Sequence, residues 1–215
     1  MRRLLLIVAA FGGLVSTGAR AETDTLDDAI RALHSRAYCI VYRSSSASGI
    51  LAVPPGSQAE RTLLRQLVPG CMGGAYHLDV QGQLLRGAIV EEVLRVGDNN
   101  RTDGRRMRWV APFTGLNAAD VAALDEQGRL ALGALDFAQC IQAAAPDAVQ
   151  ALLATRPTYS PEQDAFRQLS PFLGPCLQEG VRITISRPQL RGFLAEAAYR
   201  AAYSAGRTPA GPDSE

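Results

Sequence analysis

Four cysteines, two histidines and a few charged residues that recur in register are the groups in this chain with chemistry to offer. Cys39, Cys71, Cys140 and Cys176 admit three pairings if oxidised. They lack the close C-x-x-C spacing that zinc sites usually show. His77 and Asp79 are two apart, so on a strand they point to one face. They are a weak candidate for a metal site, or for a base and its orienter. Two residues do not make a ligand set, and no metal or cofactor is expected. The Ser44–Ser48 cluster lacks a nucleophile elbow, and no phosphate-binding or dinucleotide fingerprint is present. No catalytic residue is assigned.

The charged candidates are Arg86, Arg191, Glu91 and Glu196. The same spacing, the 105 residues from Cys71 to Cys176, superimposes Leu85-Arg86-Gly87 on Leu190-Arg191-Gly192, Glu91 on Glu196 and Arg95 on Arg200. Two arginines facing one interface would suit an anionic ligand, because guanidinium presents a rigid fork of donors. The structural alternative is an i,i+4 ion pair in each copy, Glu91 with Arg95 and Glu196 with Arg200. Gly87 and Gly192 each cost a helix about 1 kcal/mol against Ala. Their recurrence points to another element passing close by.

The match extends in both directions. Each later cysteine is followed by an alternating run, Tyr76–Val80 and Val181–Ile185, in the same phase. Upstream, Arg65-Gln66-Leu67 meets Arg167-Gln168-Leu169 with a small insertion, and Cys39-Ile40 meets Cys140-Ile141. The reading is a tandem duplication. Each copy then owns two cysteines. Bridges Cys39–Cys71 and Cys140–Cys176 are the simplest pairing, with cross-copy bridges the alternative. Each would close a loop of about 30–40 residues, worth roughly 3–4 kcal/mol.

The expected fold class is mainly α with minor β. Each copy is a disulfide-stapled helix–helix–strand–helix unit, and a two-stranded antiparallel ribbon joins the two. In the first copy a helix capped by Thr25 and Asp28 carries Leu26, Ile30, Leu33, Ala37 and Ile40. A second helix starts at Ser57 with Glu60 and stops at Pro69-Gly70. The strand Tyr76–Val80 turns at Gly82 into a third helix over 84–96. In the second copy a helix over 130–144 carries Cys140, and Pro146 restarts it. Ser160-Pro161 with Gln163 opens the next helix, which Pro171, Gly174 and Pro175 end. Ser186 with Gln189 caps the last, over 188–204. The copies span 22–96 and 130–205. Residues 97–129 form a linker with a short helix capped by Asn117 and Asp120, and 206–215 a disordered Gly/Pro/Ser tail.

The first 21 residues read as a cleavable export signal. Arg2 and Arg3 precede an apolar run from Leu4 to Val15, and Ala19-Arg20-Ala21 is a small-x-small cleavage site. The run is too short for a permanent membrane helix. Cleavage after Ala21 removes three of the 22 basic residues and leaves the 21 acidic ones in slight excess. That balance gives no general affinity for nucleic acid. The arginines of Arg101–Trp109 read as a solvated linker anchored by its Trp. The basic residues are all Arg, and the chain reads as bacterial.

The sequence-level expectation is therefore a periplasmic or secreted, non-catalytic protein that contacts a protein or envelope component. A small-molecule or anion binder using Arg86 and Arg191 is the second expectation. An uncharacterised hydrolase or metal enzyme is the third.

Overall fold

The computed structural model describes residues 18–71, 78–98, 109–177 and 183–206. Helix α1 is Gly18–Arg43, followed by a 3₁₀ turn at Ala47–Ala52, α2 at Gln58–Leu67 and α3 at Leu78–Asp98. After α4 (Ala118–Ala122) come α5 (Glu126–Ala144), α6 (Pro146–Ala154) and α7 (Ser160–Leu173). A 3₁₀ turn at Gly174–Cys176 leads on to α8 (Arg187–Ser204). The most extensive helix contact is α3 with α8, then α5 with α8 and α1 with α3.

Both disulfides form within the expected pairs. Cys39–Cys71 and Cys140–Cys176 each hold their Cα atoms 5.7 Å apart, across separations of 32 and 36 residues. The first ties α1 to the turn after α2. The second ties α5 to the turn after α7. Two apolar cores result. One joins α1, the Ala47–Ala52 turn, α2 and α3, and takes Ala195 and Tyr199 from α8. The other joins α5, α6 and α7 with the opposite face of α8.

Several starts are capped as their residues demand. Ser57 accepts from Glu60 N at α2, and Asn117–Asp120 and Ser186–Gln189 close reciprocal capping boxes at α4 and α8. Other boundaries differ from expectation. Thr25 does not open α1, which already runs from Gly18 through Ala21. Leu26 is 60 % exposed, so the buried stripe begins one turn later at Ile30. Helix α5 starts at Glu126, because Asp125 caps it by accepting from Gly128 N. At α7 the cap position is Tyr159, with Ser160 and Pro161 already helical, and Pro171 lies inside the helix.

The minor β component is corrected. Leu78–Val80 open α3 and Gly82 lies within it. Helix propagation gains one hydrogen bond per residue, and this outweighs a three-residue alternation with no partner strand. Tyr76 and His77 lie outside the described residues. Ile183–Ile185 keep the alternation without a ladder: Ile183 and Ile185 rest on the second core, Thr184 faces out, and no strand is assigned among the described residues. A period of two here reflects an extended chain with one face on a core. Val181, Arg182 and the tail 207–215 lie outside the described residues, so the paired ribbon finds no support in the part described.

Candidate functional site

The four charged candidates meet at the crossing of α3 and α8. Helices come this close only where side chains are absent. A Cβ on Gly87 would lie 2.5 Å from Gly192 Cα, and one on Gly192 2.8 Å from Gly87 Cα. Neither position has room for a methyl group, which explains why both are glycine despite the cost to helix propensity.

Beside the crossing the charges exchange partners. Arg86 donates through Nε and Nη2 to the two oxygens of Glu196, at 2.8 and 2.9 Å. Arg191 donates in the same way to Glu91, at 2.8 and 2.6 Å. Each pair is a fork-on-fork contact between the two helices. A second carboxylate completes each group. Arg86 Nη1 reaches Glu60 at 3.0 Å, and Arg191 Nη1 reaches Glu162 at 3.0 Å.

Glu60 and Glu162 are held alike. The far oxygen of Glu60 accepts from Gly56 N at 2.5 Å, and that of Glu162 from Thr158 N at 2.7 Å. Gly56 and Thr158 both adopt the left-handed region, at φ 73° and 69°. Gly56 also has no room for a side chain, since its Cβ would fall 2.3 Å from Gly128 Cα. Thr158 carries a β-branched side chain at this φ, a strained choice. Its hydroxyl accepts from Arg31 of α1 at 2.8 Å.

Both arginines and Glu196 are about 1 % exposed. Burial alone would disfavour their charged forms. The paired carboxylates outweigh it and hold Arg86 and Arg191 more firmly protonated than a free arginine. Burial pushes Glu196 up, but Arg86 and Arg200 more than offset this and bring it below the ordinary carboxylate range. His34 of α1 lies near Glu91, Glu162 and Arg191, and burial lowers it below a free imidazole.

The expected i,i+4 pairs form on one side only. Arg200 donates to Glu196 at 2.9 Å. Glu91 spends both oxygens on Arg191, and Arg95 turns to Glu92 instead. The remaining fork donors of Arg191 go to the end of α6, to Thr155 O at 2.8 Å, the Thr155 hydroxyl at 3.0 Å and Leu152 O at 3.1 Å. The guanidinium groups that suggested an anion site thus point at the protein's own carboxylates and carbonyls. Asp79 lies in the first turn of α3, and its proposed companion His77 falls outside the described residues. No three His, Cys, Asp or Glu side chains among the described residues are grouped to hold a metal.

The charged cluster positions a packed stretch of chain. Trp109 stacks on Tyr199 at 4.6 Å, and the Tyr199 hydroxyl donates to Val110 O and accepts from Val110 N. Burial pushes Tyr199 up to about 12. Phe113 N donates to Leu51 O at 2.8 Å, and Phe113 O accepts from Arg200. The Arg200 guanidinium covers the Phe113 ring at 4.1 Å. Trp109 is the anchor expected of it; residues 101–108 lie outside the described residues.

Among the described residues, open grooves lie at two places. One, of about 580 Å³, lies between α5, Ile183–Ile185 and the Cys140–Cys176 bridge, with Leu130 and Leu177 at its rim. The other, of about 780 Å³, lies between α3, α6 and the last turns of α8, with Trp109 at one end.

Sequence reasoning singled out Arg86, Arg191, Glu91 and Glu196, and the structure brings all four together. It passed over Glu60 and Glu162 as partners. A signal existed: each stands five residues before an Arg-Gln-Leu triplet. Tyr199 and the groove walls carried no such mark.

No family model, no curated protein and no solved structure matches this chain.

Proposed function

We propose that this chain is an exported, non-catalytic binding module. It is built from two copies of one disulfide-stapled unit and recognises a protein or envelope component through surfaces beside the α3–α8 junction. One observation carries this reading. The four cysteines and the four charged residues that recur in register are spent on holding the molecule together: the cysteines are bridged, and Arg86, Arg191, Glu91 and Glu196 neutralise one another.

The reciprocal pairing supports the duplicated unit. Arg86 with Glu196 and Arg191 with Glu91 are the same contact read in opposite directions, as a pseudo-twofold axis through Gly87 and Gly192 requires. Glu60 and Glu162, with Gly56 and Thr158 behind them, repeat it further out. Two bridges in a small protein suit an oxidising compartment. Among the described residues no helix is long and apolar enough to cross a membrane.

The test is expression of the full chain in a bacterial host with two membranes, followed by fractionation, N-terminal sequencing and non-reducing peptide mapping. The expected product is periplasmic or secreted, begins at Glu22 and carries both bridges. A cytoplasmic chain that keeps Met1 and holds free thiols would overturn the export reading.

A further inference from the structure

The two bridges differ in what can reach them. Cys39 and Cys71 are both half-buried, whereas Cys140 is exposed and Cys176 half-buried. Cys140 and Cys176 both line the groove of about 580 Å³ beside α5, and Cys39 and Cys71 line neither groove. A neighbouring side chain differs as well. Arg43 stands one turn after Cys39, and its Nη1 donates to Gly70 O at 3.4 Å, next to Cys71. The spacing that superimposes Cys39 on Cys140 puts Ala144 in the place of Arg43. A methyl group cannot reach across to the turn that carries Cys176.

A disulfide opens when a thiolate attacks one sulfur and the other leaves as a thiolate. Access therefore selects both the bridge and the atom attacked. Cys140 is the more exposed member of its pair, and Cys176 rests against the second core. The charged side chains lining the groove are Arg129 and Asp136, one of each sign. Asp136 lies one turn before Cys140 on the same face of α5. Its carboxylate opposes an incoming thiolate, which favours a donor that carries no further negative charge.

We propose that the Cys140–Cys176 bridge is a site of thiol–disulfide exchange with an external thiol, small or carried on a protein. The donor thiolate attacks Cys140 Sγ, the S–S bond breaks, and Cys176 leaves as a thiolate that takes up a proton. A second donor thiolate attacks the donor sulfur of the mixed disulfide and releases Cys140 as its thiolate. The bridge is reduced by two electrons, and the donor is oxidised to its own disulfide. Opening frees the Gly174–Cys176 turn from α5, while the charged contacts between α3 and α8 take no part. The site stands apart from the binding-module reading and does not need it.

The probe is 2-mercaptoethanol, an uncharged monothiol, added to the folded, oxidised full chain in mildly alkaline buffer. Samples are trapped with N-ethylmaleimide at intervals and mapped by mass spectrometry, and circular dichroism follows the fold. The first product expected carries mercaptoethanol on Cys140 and maleimide on Cys176, with Cys39–Cys71 intact. Cys140–Cys176 should open roughly tenfold faster than Cys39–Cys71, or more. Asp136→Arg should raise that rate about threefold in low salt, since it reverses a charge beside the attacked sulfur. Reduced thioredoxin at equal thiol concentration distinguishes the donors: faster opening assigns a protein thiol and slower opening a small one, and either supports the site. Equal rates at the two bridges, or Cys39–Cys71 opening first, overturn the proposal. So does an adduct on Cys176, a rate unchanged in Asp136→Arg, or a bridge that opens only after denaturant is added.

Discussion

The guanidinium of Arg86 holds both carboxylate oxygens of Glu196, 110 residues further along the chain, at 2.8 and 2.9 Å. The mirror contact of Arg191 with Glu91 spans 100 residues. These contacts flank the point where Gly87 and Gly192 bring α3 and α8 together.

Gly87→Ala and Gly192→Ala should each destabilise the protein by about 3 kcal/mol or more, since overpacking a tight contact exceeds the ~1 kcal/mol that alanine returns to a helix. Gly133, exposed in mid-α5 with nothing near its Cβ position, gives the contrast. Gly133→Ala should stabilise by up to about 1 kcal/mol. Urea titrations of the three variants check the opposite signs. A neutral Gly87→Ala would mean that the helices are not in close contact.

Stability should fall in acid in two stages. Burial lowers His34 in the folded state, with Glu91 and Glu162 opposing and Arg191 assisting. A lowered folded value means that the contribution is complete above the unfolded value of 6.5 and is lost as pH falls below it. Glu196 has the same sign lower down: its contribution is present above 4.5 and is lost as pH falls through the folded value. Melting temperatures measured from pH 8 to pH 3 should show both stages. His34→Gln should remove the first and leave the second. A profile unaffected by His34→Gln would contradict the placement of His34 beside the second charged group.

Each bridge closes a loop of similar length, 32 and 36 residues. Cys71→Ser and Cys176→Ser should each cost roughly 3–4 kcal/mol of unfolding free energy, measured by denaturant titration. Near-equal losses are expected because the loops are near-equal. A large loss for one variant and none for the other would show that one half does not depend on its staple.

Much of this was legible in the residues, for identifiable reasons. Cysteine pairing followed from a repeated spacing. The capping residues Ser57, Asn117 and Ser186 announced helix starts because their side chains do the same local job wherever they occur. Arg86, Arg191, Glu91 and Glu196 stood out because they recur in register. The strands misled because a period of two marks one-sided burial and not pairing. Ile183 and Ile185 satisfy it by resting on a core, while Leu78–Val80 were taken into α3. The direction of the arginines was also beyond local reading. An i,i+4 partner is visible in a window of five residues, whereas Glu91 chose Arg191, 100 residues away. The seat of Trp109–Phe113 on Tyr199 and Arg200 belongs to the same class of long-range contact.

Ionised side chains fasten α3 to α8 through Arg86–Glu196 and Arg191–Glu91. A double-mutant cycle on urea-derived stabilities tests it most directly, with Arg86→Met and Glu196→Gln singly and together. The same cycle is run for Arg86 with Glu91. Each single change should cost about 3–5 kcal/mol, because it strands a buried charge or its partner. The Arg86–Glu196 coupling should reach about 1–3 kcal/mol, well above that of Arg86 with Glu91. Coupling confined to Arg86 and Glu91, or none in either cycle, would contradict the exchange of partners across the α3–α8 junction.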